Sequence, residues 1–227
     1  MNWLDDPIRG ALATQHAALA QRHGHALRYP RDVAPFLGFD GPLAAESLDA
    51  LVDGPTYLLG PRPDVPAGWE VDDLGGCLQM VCERPVATQP ADAPTPLVTS
   101  RHREQVLELT ALVYPHYFRT RTVELGRYFG VFEGDRLAAM IGERMALPGK
   151  REISAVCTHP DFLGRGLARR LLVWLANELH ARGEQPFLHV APANVRAVRL
   201  YEQNGFRVRT ELPFLSLTRT TPGSRAR

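Results

Sequence analysis

The segment from Ser154 to Leu172, SAVCTHPDFLGRGLARRLL, combines residue types that suit the binding of an anion. The pattern predicts that an apolar strand ends there, that the chain turns through Pro160 and two glycines, and that a helix then begins. The first amides of a helix have no partner inside it, and the helix dipole places positive charge at that end. Because Gly164 and Gly166 leave room for a close backbone approach, the segment predicts a phosphate or diphosphate site.

Three arginines at this helix start, Arg165, Arg169 and Arg170, support the same interpretation. A basic side chain there opposes the helix dipole at a cost of ~0.3–1 kcal/mol, which a bound anion would offset. The simpler alternative is a tight turn in which glycine serves only the backbone geometry. The sequence contains neither GxxxxGK(S/T) nor GxGxxG with an acidic residue on the next strand, so two common nucleotide motifs are excluded.

Motifs on either side of this turn carry a family resemblance. They are Val156-Cys157-Thr158-His159-Pro160, Leu163-Gly164-Arg165-Gly166-Leu167-Ala168, and Asn194, Ala197 and Leu200-Tyr201-Glu202 before Gly205-Phe206. Together they resemble the GNAT superfamily of acyl-CoA-dependent N-acyltransferases over about residues 96–220. That family has a (Q/R)-x-x-G-x-(G/A) loop that binds the coenzyme A diphosphate, and an N…A…Y-E…G-F segment one strand later.

The resemblance implies acetyl-CoA as co-substrate. No metal is expected, because the three cysteines have no CxxC pattern and no His-rich companion. The coenzyme contacts that the resemblance implies are Val156, Cys157, Thr158, Leu163, Gly164, Arg165, Gly166, Leu167, Ala168, Arg169, Asn194, Ala197 and Tyr201. One position departs from the family, because Leu163 stands where Gln or Arg usually opens the loop. Since backbone amides do most of the binding in the family, this change is expected to weaken coenzyme binding without abolishing it. It leaves open a protein that senses acyl-CoA without turning it over.

Acyl transfer from a thioester to an amine needs an unprotonated amine, a polarised carbonyl and a proton for the departing thiolate. The resemblance gives Tyr201 the position of the family's general acid, and a phenol near the sulfur can donate that proton. It also implies that a backbone amide near Val156 or Cys157 polarises the carbonyl, and that Asn194 bonds the pantetheine arm. A core-facing aromatic side chain is the alternative for Tyr201.

The base that deprotonates the amine is predicted to be Glu152, near where many members of the family place a carboxylate. Glu143 competes for this role and is assigned to the acceptor site. Both could equally be solvated strand residues or charge partners for nearby arginines. Cys157 as the nucleophile of a ping-pong route lacks a neighbouring base, so it is interpreted as a buried small hydrophobic residue.

The acceptor is predicted to bind at the segment PHYFRTRTVELG, residues 115–126, through Tyr117 and Arg119. An arginine in such a loop can hold a substrate carboxylate with two hydrogen bonds. A packed loop with solvated arginines is the alternative.

The elements that position these residues follow an α/β order. The pattern predicts a helix over 101–114, strands over 128–132 and 137–145 joined by a turn at 133–136, a strand over 153–157, a helix from 167 that Gly183 ends, a strand over 186–191, a helix over 195–202 and a strand over 206–218. The resemblance implies a GNAT-like mixed, mostly antiparallel central sheet flanked by helices, an α+β arrangement.

The N-terminal part is predicted to be a smaller α/β domain of unknown role over residues 1–85. Asp6 caps a helix that runs to about Arg22, and strands are expected over 55–60, 68–73 and 77–82. This part resembles the degenerate N-terminal half of the glycine N-acyltransferase-like branch of the GNAT superfamily. A proline-rich linker at 86–95 separates it from the GNAT domain, assigned to 96–222.

Charge divides the chain in a similar place. The totals are 26 basic and 25 acidic side chains, but residues 1–100 have a net charge of −7 and residues 101–227 of +8. The basic residues of the second part are scattered, so a nucleic-acid partner ranks last. The sequence predicts no membrane-spanning segment and no secretory signal, and three cysteines without a pairing pattern indicate a cytoplasmic setting. The sparse lysine suggests a GC-rich bacterial genome.

The sequence therefore predicts a cytoplasmic N-acetyltransferase that transfers an acetyl group from acetyl-CoA to a small amine or amino acid by direct attack in a ternary complex. The alternatives are a protein or peptide N-terminus as the acceptor and a non-catalytic acyl-CoA sensor. Whether the chain forms a homodimer is left open.

Overall fold

The computed structural model describes residues 2–87, 93–97, 99–113 and 117–220. These form two compact units, each with its own core. The first comprises the chain up to Arg31, Pro35–Cys77 and the chain from Glu211 on; the second comprises Asp32–Ala34 and Leu78–Thr210. The predicted boundaries differ because the long strands Trp69–Cys82 and Phe206–Arg219 each contribute to both units.

The first unit holds two short helices and a small antiparallel sheet. Its elements are α1 (Pro7–Ala13), β1 (Gln21–His23), β2 (Ala26–Arg28), β3 (Leu37–Phe39), α2 (Ala45–Leu51), β4 (Thr56–Leu59), the first part of β5 (Trp69–Cys82) and the last part of β11 (Phe206–Arg219). The strands β1, β2 and β3 pair in that order, and β4 pairs with the last part of β11. The core includes Leu48, Leu58 and Leu215.

The predicted N-terminal helix is too long. Asp6 caps it by accepting a hydrogen bond from the amide of Arg9, as expected, but α1 ends at Ala13. The Thr14 hydroxyl donates to the carbonyl of Gly10, and the chain then enters β1, which the helical pattern concealed. The strands predicted at 68–73 and 77–82 are one strand, because the backbone continues through Gly75 and Gly76.

Seven strands of one sheet contribute to the second unit, in the order β11-β5-β10-β9-β8-β7-β6. Its remaining elements are β6 (Thr95–Pro96), α3 (Thr99–Val113), β7 (Tyr128–Glu133), β8 (Arg136–Leu147), β9 (Lys150–Thr158), α4 (Leu167–Ala181), β10 (Gln185–Val190) and α5 (Val195–Glu202). The strands β9 and β10 are parallel, and the neighbouring pairs from β6 to β9 are antiparallel. This confirms the predicted mixed, mostly antiparallel sheet.

Helices cover the two faces of this sheet. The apolar face of α4 packs with Met80, Ile141 and Leu188 in one core cluster. Val106 and Leu109 of α3 pack with a second cluster that contains Met140 and Cys157. The predicted linker falls partly at β6, which pairs with β7, while residues 88–92 lie outside the described residues.

Candidate functional site

The two parallel strands of the second unit separate part of the way along. Pairing between β9 and β10 runs from Lys150 with Gln185 to Glu152 with Phe187 and ends there, although β9 continues to Thr158 and β10 to Val190. Beyond this point the backbone N–H and C=O groups that face each other across the two strands do not pair in a β-ladder. They are available to an extended ligand that enters between the strands.

A bulge lies in β9 just past the point of separation. Met140 of β8 pairs with Cys157 and Gly142 with Ser154, so two residues of β8 span three of β9. Ala155 has a φ of 51° and is the one non-glycine residue with positive φ among the described residues. Such a conformation is costly for alanine and is often found at functional sites. It redirects the backbone at Val156, which lines the cavity described below.

The glycine turn leads into a helix whose first amides have no side-chain cap. Gly164 and Gly166 have φ values of 79° and 73°, and Gly166 is the N-cap residue of α4. A Cβ atom at either glycine would meet no other atom within 4 Å. Glycine is therefore favoured by the left-handed backbone rather than by crowding, and both glycines line the cavity described below.

Aromatic and charged contacts hold this turn in place. The guanidinium groups of two arginines lie over the ring of Phe162. Their Cζ atoms are 4.9 Å (Arg136) and 5.0 Å (Arg165) from the ring centroid. Arg136 also pairs with Asp161 at 2.6 Å, and Arg165 lies 3.8 Å from Glu133. The hairpin between β7 and β8 thus fixes the turn that opens α4.

A cavity of about 710 Å³ lies over the glycine turn, between β9, the start of α4 and α5. Its lining includes every predicted coenzyme contact except Cys157. The lining residues that the sequence analysis did not assign to the site are Val113, Phe162, Val195, Arg196, Arg199, Leu200 and Gln203. Leu200 was part of the family motif. Arg196, Arg199 and Gln203 follow one another at spacings of three and four residues, which place them on one face of the helix and could have indicated them. Arg170 is not part of the lining.

The side chains that the resemblance assigns to catalysis and binding reach this cavity from α5. Tyr201 lines it and is 8% exposed. Asn194 caps α5, since its Oδ1 accepts a hydrogen bond from the amide of Ala197 at 3.1 Å. Leu163, the departure from the family motif, lines the mouth of the cavity and is exposed.

Glu152 does not line the cavity. It is fully buried and its two oxygens accept hydrogen bonds from Arg144, at 2.6 and 2.8 Å, and from the amide of Met145. Burial by itself raises the pKa of Glu152, but the charge and hydrogen bonds of Arg144 and the hydrogen bond of His189 outweigh it and hold that pKa well below its usual range. Such a carboxylate is a weak base, and the structure gives Glu152 a structural role instead.

The same buried network contains His189 of β10, which the sequence analysis did not single out. Arg209 donates to Oε1 of Gln79 at 2.8 Å, so the Gln79 amide nitrogen donates to Nε2 of His189 at 3.0 Å. The proton of His189 is then on Nδ1, which donates to Glu152 at 2.8 Å. Both ring nitrogens are used, and the network ties β5, β9 and β10 together where β9 and β10 separate.

The residues predicted for the acceptor lie apart from the cavity lining. Glu143 is buried and pairs with Arg127 at 2.6 Å and with Arg182 at 3.4 Å. Tyr117 and Arg119 are half-buried in the chain that leads from α3 to β7, and the Nε atom of Arg119 is buried without a hydrogen-bond partner in the described part of the chain. Residues 115 and 116 of the predicted acceptor segment lie outside the described residues.

Other kinds of site find no support in the described residues. Burial raises the pKa of the Cys157 thiol to about 12, which keeps it protonated and unreactive. Among the residues that the structure describes, no group of three or more His, Cys, Asp or Glu side chains is placed to hold a metal ion. Within the same residues, no helix has the length and apolar character that a membrane span requires.

The fold and the cavity define a class: α/β proteins with a mixed sheet in which two parallel strands separate, and with an uncapped helix start beside that separation. Residues 128–215 match the model of the FR47-like protein family. A protein from Novosphingobium aromaticivorans, described as an acetyltransferase from the GNAT family, is 32% identical over 97% of this chain and all of its own, with a TM-score of 0.87. The chain therefore belongs to the GNAT family of N-acetyltransferases.

Two further proteins show how far the similarity extends. The chain is 38% identical over 73 residues to the ribosomal protein bS18-alanine N-acetyltransferase of Salmonella typhimurium, which covers 32% of this chain and 49% of that enzyme. A GCN5-related N-acetyltransferase from Kribbella flavida shares the fold, with a TM-score of 0.56 and 14% identity over 93% of this chain and 94% of its own.

Proposed function

We propose that this chain transfers an acetyl group from acetyl-CoA to the primary amine of a small molecule or amino acid, in a ternary complex. The observation that carries the proposal is the cavity in which the uncapped start of α4, two left-handed glycines and Tyr201 meet. The residues fit the coenzyme: helix amides with Arg165 and Arg169 suit its diphosphate, and the separated edges of β9 and β10 suit its extended arm.

The proposed reaction forms a C–N bond and breaks a C–S bond. The acceptor amine attacks the thioester carbonyl, whose oxygen is stabilised by a backbone amide at the bulge near Val156 and Cys157. The departing thiolate takes a proton from the hydroxyl of Tyr201, which lines the cavity. The attacking nitrogen loses its extra proton to solvent, and solvent returns a proton to the Tyr201 hydroxyl.

Solvent is proposed as the proton acceptor because the two predicted carboxylates are held in buried ion pairs, Glu152 with Arg144 and Glu143 with Arg127. The pH dependence of kcat/KM should then follow the fraction of the acceptor amine that is unprotonated. For an α-amino group kcat/KM rises towards about pH 8, and for an alkyl amine such as the lysine side chain it rises towards about pH 10.

Two other functions have specific support. The identity shared with the bS18-alanine N-acetyltransferase favours a protein N-terminus as the acceptor. Leu163 at the loop and the buried state of both carboxylates favour an acyl-CoA sensor that does not turn the coenzyme over.

A reducing, cytoplasmic setting is proposed on the three free cysteines, since oxidising compartments favour disulfides.

The test is the release of free thiol from acetyl-CoA in the presence of single amines. Amino acids, polyamines, aminoglycosides and peptides with an N-terminal alanine are assayed across about pH 6 to 10. Turnover with a small amine supports the proposal, and turnover confined to peptides supports the N-terminal alternative. Saturable coenzyme binding without turnover on any amine would favour the sensor.

A further inference from the structure

The cavity carries more positive charge than a diphosphate needs. Four arginines line it, Arg165, Arg169, Arg196 and Arg199, and none of its described lining residues is Asp or Glu. Two of them, Arg165 and Arg169, belong to the start of α4, where the helix amides already suit a diphosphate. The other two, Arg196 and Arg199, belong to a different helix, α5.

The two pairs also differ in their own contacts. Arg165 lies near Glu133 and Phe162, and Arg169 donates from Nε to Oδ1 of Asn204 at 3.0 Å. The side chains of Arg196 and Arg199 are exposed, and neither forms an ion pair or hydrogen bond within the part of the chain that the structure describes. Their three-residue spacing places them on one face of α5.

The position of Arg196 is unfavourable without an anion. It is in the first turn of α5, where the helix dipole opposes a positive charge, and no acidic residue occupies that turn to offset it. An anion bound at Arg196 and Arg199 removes this disadvantage and neutralises both guanidinium groups.

We infer that Arg196 and Arg199 bind a second phosphate, the phosphomonoester on the ribose of coenzyme A, and make the cavity selective for the 3′-phosphorylated coenzyme over its dephosphorylated form. A phosphomonoester carries about two negative charges at neutral pH, which the two arginines match. The inference rests on the proposed function, because it takes coenzyme A as the ligand. Arginine suits this role because its guanidinium group binds phosphate with paired hydrogen bonds.

The test compares the dissociation constants of coenzyme A and dephospho-coenzyme A by calorimetry. Wild type, Arg196→Gln, Arg199→Gln and the double variant are measured, with Arg101→Gln as the control. Arg101 is exposed on α3, its side chain has no partner among the described residues, and it does not line the cavity. Wild type is expected to prefer coenzyme A by about tenfold or more, and the preference should shrink with added salt.

The double variant is expected to lose most of that preference while its affinity for dephospho-coenzyme A stays unchanged. Equal binding of the two coenzymes by wild type, or equal weakening of both in the variants, overturns the inference and leaves the proposed function intact. A raised KM for carboxylate-bearing acceptors with an unchanged coenzyme preference also overturns it and assigns the arginines to the acceptor. Failure of wild type to bind either coenzyme overturns both proposals.

Discussion

At the scale of single residues, the cavity is lined by two kinds of group whose proposed roles, in chemistry and in binding, can be tested separately. Tyr201 contributes a titratable side chain, whereas Gly164 and Gly166 contribute only backbone. Loss of the phenol should change the chemical step, and loss of a glycine should change binding.

Tyr201→Phe is expected to lower kcat by roughly 100-fold or more, because the thiolate then leaves without a positioned proton donor. The dissociation constant of acetyl-CoA should stay within about threefold, since the ring and its packing are kept. Steady-state kinetics and calorimetry measure the two quantities. Unchanged turnover would remove Tyr201 from its proposed role.

Gly166→Ala is expected to weaken acetyl-CoA binding by more than about tenfold. Its φ of 73° strains any residue with a Cβ, and the added methyl group enters the space proposed for the diphosphate. Gly149→Ala is the matched control, because Gly149 has a φ of 66°, similar open space and no place in the cavity lining. Similar melting temperatures with different coenzyme affinities would confirm the prediction; equal affinities would contradict it.

At the scale of elements, ion pairs and caps fix the strands and helices that surround the site. The buried pair of Glu152 and Arg144 joins β8 to β9 just before β9 leaves β10. In the first unit, Asp6 caps α1 from a half-buried position. The two carboxylates have opposite pKa shifts, so they predict opposite dependences of stability on pH.

Glu152→Gln is expected to lower the free energy of unfolding by about 3–5 kcal/mol, because Arg144 is left buried without a countercharge. The pKa of Glu152 is held below its usual range in the folded state, so its stabilisation is present above about pH 4.5 and declines as the pH falls further. Urea unfolding measures the difference at neutral pH. The exposed Glu202→Gln is the control and should change stability by less than about 0.5 kcal/mol.

Asp6→Asn is expected to stabilise the protein at pH 8. Burial raises the pKa of Asp6 to about 6, so the charged form costs stability as the pH rises from about 4 through 6. Asparagine keeps the capping acceptor without the charge, and the gain should be about 1–3 kcal/mol above pH 7. Thermal melts at pH 8 and pH 4 check this: the gain should vanish at pH 4, and the control Asp64→Asn, at an exposed position, should show none.

At the scale of the whole molecule, ligand binding and stability are linked. A ligand that binds only the folded state at 100 times its dissociation constant adds about 2.7 kcal/mol, or roughly 5–10 °C in melting temperature for a chain of this length. Acetyl-CoA is expected to produce such a shift at saturating concentration, and free acetate none. No shift at any concentration of acetyl-CoA would contradict the proposed binding site.

The local structure around the proposed coenzyme site could be predicted from the sequence because it depends on neighbouring residues. The glycine turn, the start of α4 and the Asn194 cap of α5 each depend on residues within a few positions of one another, and the proposed anion site would consist of consecutive backbone amides. The same locality explains why the C-terminal helices and strands were predicted nearly as they are found. The N-terminal strands were harder because their pairing partners, not their own residues, make them strands.

The roles of the strand carboxylates depend on long-range contacts that their own sequence neighbours do not reveal. Whether Glu152 faces a ligand or an arginine depends on register, on the bulge at Ala155 and on partners from β8 and β10, and a shift of one residue turns a side chain to the other face. The proposed binding role of Arg196 and Arg199 likewise depends on the fold, which brings α5 to the cavity that the start of α4 lines. The local glycine turn and the uncapped start of α4 follow from neighbouring residues in the sequence, whereas long-range pairing fixes which charged side chains line the cavity and which are buried in the sheet.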